Sequence, residues 1–300
     1  MALFLALGGA LIAGFLVFAL CGSLIYWYET LNSPEERIPS PRPAPAACLR
    51  QYGVGLYGYF LCAGLFFFGP FLRRRVGRRR VTRGAPKNQP EGPASGPAEG
   101  MDAYPVVCIH GLNNNAAVWL RLARRMDKAG YAVSTYTYCS LFVPLERIVA
   151  GLDAHIAEVE AAFPGRRPLL VCHSLGGLLA RHWLGLAGNR DRVAGLLTLG
   201  TPHGGSKLAV LAPGALAKNL VPGSAFLAAL SDQSRTSPLP FPCVSLVSPT
   251  DEAVLPAANL LPPDGWRMRV TEPVGHFGML FRPSVCRMAL EELKSMRGHQ

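Results

Sequence analysis

"RRPLLVCHSLGGLLARHWLG", residues 166–185, sets a serine between an apolar run and a glycine pair. Leu169 to Cys172 suit a short strand buried on both faces. Gly176 and Gly177 then open a segment, Leu178 to Leu186, whose apolar spacing predicts a helix. Ser174 therefore stands at a sharp strand-to-helix turn, where backbone and helix crowd each other and small neighbours are needed. The formula for that turn is Gly-x-Ser-x-Gly, and this chain reads Cys172-His173-Ser174-Leu175-Gly176. Cysteine for the first glycine is a small departure in volume. Alone, the match is common by chance, and a helix N-cap serine is the plain alternative.

The surroundings decide between the two. From Met101 onward the chain alternates strand-like and helix-like segments. "YPVVCIH" is followed by "AAVWLRLARRMDKAG", and "YAVSTYTY" by "ERIVAGLDAHIAEVEAAF". After the Ser174 strand and helix come "RVAGLLTLG", "FPCVSLVS", "WRMRVTEP" and a last helix through Arg287 to Met296. Such alternation predicts an α/β fold, a mostly parallel sheet with helices on both faces. A mononucleotide-binding fold would alternate likewise. Here the first strand leads into "HGLNNN", which is no phosphate-cradling glycine loop.

In such a sheet, functional groups gather at the carboxyl ends of strands. A serine hydroxyl needs a base to take its proton, and the base needs a carboxylate to hold its tautomer. The chain order Ser, then Asp or Glu, then His points to Asp251 in "SPTDEAVLP" and His276 in "EPVGHFGML". Glu252 and Asp232 are weaker candidates for the acid. Only His276 and His299 follow Asp251, and His299 is in the tail. Each residue alone reads as a turn former or a loop histidine, but together they form an ordered set. Acyl transfer also needs backbone donors for the developing oxyanion. The N–H of Leu175 and that of Leu112, in "CIHGLNNN", are the candidates. His110 reads as a buried hydrogen-bonding residue.

"IHGLNNNAAVW", "LLVCHSLGGLLAR", "LLTLGTPHGGS", "VPGSAFLAAL", "SPTDEAVLP" and "VGHFGML" together resemble bacterial lipases and related esterases of the α/β-hydrolase superfamily, over roughly residues 104 to 297. The resemblance implies a serine esterase with Ser174 as nucleophile, Asp251 as acid, His276 as base and oxyanion donors at Leu112 and Leu175. His203, in "TPHGGS", is read as structural. No acidic cluster suits calcium, so neither a metal nor another cofactor is expected. Residues 206–240, apolar and broken by Pro and Gly, are a candidate lid over an acyl pocket.

The N-terminal third has another character. Ala2 to Tyr28 and Gln51 to Leu72 carry no charged residue, and each is long enough to cross roughly 30 Å of hydrocarbon. Aromatic residues (Tyr26, Trp27 and Tyr28, then Tyr52, Tyr57 and Tyr59) sit where interfacial rings tend to lie. A cleaved signal peptide is the alternative for the first run, but its start lacks positive charge and a second run follows. "RRRVGRRRVTRGAPK", residues 73–87, holds eight of the cations behind a formal net charge of +11, which removes most support for nucleic-acid binding. By the positive-inside rule it places both termini in the cytoplasm. Expected, then, are a membrane hairpin over 1–83 (spans about 2–28 and 51–72), a flexible linker over 84–100 and an α/β-hydrolase catalytic domain over 101–300.

Eight scattered cysteines show no zinc or disulfide spacing and suit a reducing compartment. The resulting expectation is a multi-pass protein of a bacterial inner membrane, its catalytic domain cytoplasmic, hydrolysing lipid-like or acyl esters. Thioester hydrolysis or acyl transfer on the same side chains, and a tethered scaffold without turnover, are the alternatives. The oligomeric state is not encoded in any motif.

Overall fold

The computed structural model describes residues 2–33, 35–39, 44–54, 56–58 and 103–298, leaving aside the side chains of residues 2–12, 15 and 18. Helix α1 (Ala2–Asn32) leads. A six-stranded sheet then forms from β1 (Tyr104–Ile109), β2 (Tyr131–Tyr136), β3 (Leu169–His173), β4 (Gly195–Leu199), β5 (Cys243–Val247) and β6 (Arg267–Val270), in the order β2-β1-β3-β4-β5-β6. Every neighbouring pair is parallel. All residues of β1, β3, β4 and β5 are buried, as strands covered on both faces require.

The covering helices follow from local signals. A 3-10 turn, Ala116–Trp119, begins where the Asn115 side chain accepts the Ala117 N–H at 2.9 Å, and α2 (Leu120–Lys128) continues from it, ending two residues before Gly130. The predicted single helix is thus a 3-10 turn and a short α-helix. Helix α3 (Leu145–Ala162) starts after Pro144 and stops before Pro164. Helix α4 (Leu175–Gly185) starts directly after Ser174, three residues earlier than its apolar spacing suggested. Helices α5 (Ala225–Thr236) and α6 (Pro283–Arg297) complete the set.

Leu152, Ile156, Leu178 and Trp183 of α3 and α4 fill one face of the sheet, while Leu122 and Met126 of α2 and Leu293 of α6 fill the other. Each such aliphatic side chain contributes about 1.5–3 kcal/mol through burial. Edge strand β6 carries Arg267 and Arg269 on one face, and both reach the buried carboxylate of Glu292 in α6, Arg269 at 2.6 Å. The strand leading to His276 is thereby tied to the last helix.

The N-terminal region departs most from expectation. Among the described residues no helix is long and apolar enough to cross a membrane. The second expected span, 51–72, lies outside the described residues beyond position 58, as do the basic flank and the linker. A helix over 45–54, resumed at 56–58, packs on α1, with the Tyr52 hydroxyl donating to the Leu16 carbonyl at 3.3 Å. A hairpin of two spans would hold residues 33–50 across the bilayer from the catalytic domain. Instead Ile38 is fully buried against that domain, among Val247, Val254 and Leu260. Tyr26 donates to the Pro249 carbonyl at 3.2 Å, and Glu29 pairs with Lys207 at 2.8 Å. Tyr26, Glu29 and Ile38 thus contact the catalytic domain, contacts that the two-span reading did not include.

Replacing Glu292 with Ala should lower stability by about 1–2 kcal/mol, since charge-assisted bonds are lost but half-exposed arginines regain water. The urea midpoint measures this, and an unchanged midpoint would show that the ion pairs hold nothing.

Candidate active site

The turn at Ser174 is forced by its neighbours. Its backbone sits at φ 55° and ψ −127°, a conformation that costs a non-glycine residue on the order of 1–3 kcal/mol. Three hydrogen bonds hold it there. Its N–H donates to Leu199 O at 3.0 Å, and its carbonyl accepts the Gly177 N–H and the Thr201 hydroxyl, each at 3.0 Å. The end of β4 thus braces the end of β3. A Cβ at Gly176 would lie 2.3 Å from the Ile109 carbonyl oxygen, and one at Gly111 would lie 2.8 Å from the Ser174 Cβ. Both glycines are steric necessities. Cys172, at the position of the formula's first glycine, is fully buried in β3, where burial pushes its thiol well up.

The structure brings Asp251 and His276 together. His276 Nδ1 lies 2.8 Å from Asp251 Oδ2, and both residues are buried. The other carboxylate oxygen, Oδ1, accepts the N–H groups of Ala253 at 3.0 Å and Val254 at 3.1 Å. With Nδ1–H donated to the carboxylate, Nε2 keeps its lone pair, the form a base requires. Burial pushes the His276 ring down, but the Asp251 charge and hydrogen bond, with Glu252 beside them, more than offset it. The ring therefore titrates above the ordinary histidine value.

The weaker candidates have other places. Glu252 is buried and accepts the His276 backbone N–H at 2.9 Å, not the ring. Burial, and then the adjacent Asp251 charge, push its carboxyl up to about 7. Asp232 is exposed on α5 and pairs with Arg235. His299 lies outside the described residues. His110 accepts the Tyr138 N–H at Nε2 (3.2 Å) and donates from Nδ1 to the Gly111 carbonyl (2.9 Å). His203 accepts from Arg181 at 3.2 Å and meets Ser245 at 3.4 Å, while burial and then Arg181 hold it well below the usual histidine range.

Ser174, His276 and Leu112 share one cavity of about 290 Å³. Its apolar wall includes Leu208, Leu211, Pro213, Leu220 and Val254. Leu175, the other candidate oxyanion donor, is the first residue of α4, directly after the serine. The wall draws on two 3-10 turns, Lys207–Leu211 and Ala215–Leu220, from the segment read as a possible lid. Sequence reasoning gave no role to His173, whose Nε2 donates to the His276 carbonyl at 3.2 Å while its ring lies 4.6 Å from the His276 ring. Its position beside Ser174 was visible, but its partner, 103 residues on, was not.

The family model described as "alpha/beta hydrolase fold" matches residues 104–225. Among solved structures, a lipase from Bacillus licheniformis in its mature form is similar with a TM-score of 0.57 and 21% identity, over 71% of this chain and 96% of that one. Aspergillus fumigatus lipase B is similar with a TM-score of 0.56 and 18% identity, over 67% of this chain and 55% of the other, so the match spans little more than half of that lipase. At these identities the likeness is one of fold.

Gly111→Ala should slow labelling of the serine by a fluorophosphonate at least about tenfold and cost about 1–3 kcal/mol of stability. Labelling at the wild-type rate would mean that the turn has room to spare.

Proposed function

On the α/β-hydrolase fold that this chain adopts, we propose a serine-type carboxylic ester hydrolase acting on lipid-like acyl esters at a lipid surface. The observation that carries this reading is His276, bonded to Asp251 at 2.8 Å, in the wall of an apolar cavity that Ser174 also lines. Ser174 attacks the acyl carbonyl while His276 Nε2 takes its proton, and Asp251 stabilises the resulting imidazolium. The backbone N–H groups of Leu112 and Leu175 receive the oxyanion. His276 then protonates the leaving alcohol, and water releases the acid by the reverse sequence. The apolar wall suits a hydrocarbon chain better than a charged or sugar-like acyl group.

The lipid-surface part rests on α1. Tyr26 and Glu29 face the catalytic domain, whereas Leu16, Leu20, Leu24, Tyr28 and Leu31 form an exposed stripe along the opposite side. Apolar surface of that extent calls for a partner. Leu208 on the cavity wall packs with Tyr26 and Trp27, and the neighbouring Val210 and Leu211 are exposed at the rim. The domain-facing side of α1 thus packs against the cavity wall, which sets the exposed apolar stripe and the cavity in one neighbourhood.

Ser174→Ala should abolish fluorophosphonate labelling and ester hydrolysis, and Asp251→Asn should lower kcat on the order of 10⁴-fold by presenting the wrong tautomer. Because only neutral His276 accepts the serine proton, kcat/KM should rise with pH through a pKa above the ordinary histidine value. Labelling that persists in Ser174→Ala would overturn the mechanism. The double variant Leu20→Lys, Leu24→Lys should lose binding to phosphatidylcholine vesicles and hydrolysis of vesicle-borne ester while hydrolysing a short soluble ester as before. Unchanged activity on vesicles would remove the surface argument.

A further inference from the structure

Beside the Asp251–His276 pair lies a second carboxylate that the mechanism leaves idle. Glu252 is only 5% exposed, and burying a carboxylate is costly unless it is well partnered. Its Oε2 accepts the backbone N–H of His276 at 2.9 Å. His173 donates to the carbonyl of the same residue at 3.2 Å, so the His276 main chain is gripped on both sides. Shifting the His276 main chain, and with it the base of the ring, away from Asp251 would require breaking one of these bonds.

What keeps water from Glu252 is not the sheet but the N-terminal region. A Cβ at Gly275 would lie 2.3 Å from Val54 Cγ1 and 2.9 Å from Glu252 Oε2, and one at Gly58 would lie 3.3 Å from Glu252 Oε1. Three chain segments therefore meet at this carboxylate. The same region grips the loop on either side of it. Tyr26 donates to Pro249 O at 3.2 Å, Gln51 to Thr250 O at 3.4 Å, and Ile38 packs on Val247 and Val254. Behind the carboxylate a cavity of about 500 Å³ opens between the two parts of the chain, with Arg50, Tyr57, Arg121 and Arg282 on its wall.

We infer that Glu252 is a positioning residue that fixes the His276 backbone for proton transfer, and that Tyr26, Ile38, Gln51, Val54 and Gly58 of the N-terminal region complete the catalytic unit by packing over it. The inference rests on His276 acting as the base. The N-terminal region then serves turnover itself as well as attachment to lipid. Asp251 sets the ring tautomer through Nδ1, and Glu252 sets where that ring stands.

Full-length variants assayed on a short soluble ester test this. Glu252→Ala should lower kcat between about 10- and 100-fold with KM nearly unchanged, as expected when a base is displaced by a fraction of an ångström. Glu252→Gln, whose amide oxygen still accepts the N–H, should retain kcat within about threefold. It should also move the rising limb of the kcat/KM profile to lower pH, because a negative charge beside the imidazolium is gone. The groups facing that charge are Asp251, His276 and Tyr26, with Arg50, Arg121 and Arg282 on the cavity wall. Tyr26→Phe combined with Gln51→Ala should lower kcat in the same direction, by less. A wild-type kcat in Glu252→Ala would overturn the inference, as would equal losses in the Ala and Gln variants with an unmoved pH profile. If the wild-type protein itself neither hydrolyses esters nor reacts with a fluorophosphonate, the hydrolase reading has failed instead.

Discussion

The hydrogen bond from His276 to Asp251 joins loops that leave adjacent strands, β5 and β6, and the rest of the site is arranged around that bond. A charge buried this deeply is tolerable only when its oxygens are occupied, and Asp251 meets that requirement with a ring N–H and two backbone N–H groups. Ser248 fastens the two loops further, accepting N–H bonds from Thr250 and Val274 and donating to the Val274 carbonyl. The imidazole is thereby aimed before any substrate arrives.

Ser174 reaches the same cavity by a different route. Its strained backbone is paid for by the packing of β1, β3 and β4, whose ends leave room only for glycine at 111 and 176. Strain held by a rigid sheet is a common way to present a side chain that would otherwise turn inward. Apolar turns from the segment after β4 wall the cavity, and one of them, through Leu208, touches α1. Fold, cavity and N-terminal helix therefore form a continuous packed body.

Burial explains how the ionisable groups divide. His173 and His203 are kept neutral chiefly by desolvation, and the same burial pushes the Cys172 thiol well up. His276 is as deeply buried, yet it titrates above the usual value because two carboxylates stand beside it. Among these buried groups, then, His276 is the one suited to exchanging protons near neutral pH.

Much of this was legible in the residues themselves. The apolar runs "YPVVCIH", Leu169 to Cys172 and "RVAGLLTLG" suit strands inside a covered sheet, and the glycines around Ser174 announce a crowded turn. Periodicity reports local geometry, so it identified all six strands, but it left helix Ala225–Thr236 unassigned within the candidate lid and misplaced where other helices begin. The chain order of Ser174, Asp251 and His276 named candidates because parallel connectivity sends every strand end to the same edge. Side-chain spacing could not show that Asp251, rather than its neighbour Glu252, faces the imidazole, since two adjacent carboxylates differ only in the direction the loop gives them. Nor could hydropathy tell how the N-terminal apolar segments are used. An apolar helix has the same composition whether it meets lipid or protein, and only the tertiary contacts of Tyr26, Ile38 and Gln51 bring this region onto the loop that carries Asp251.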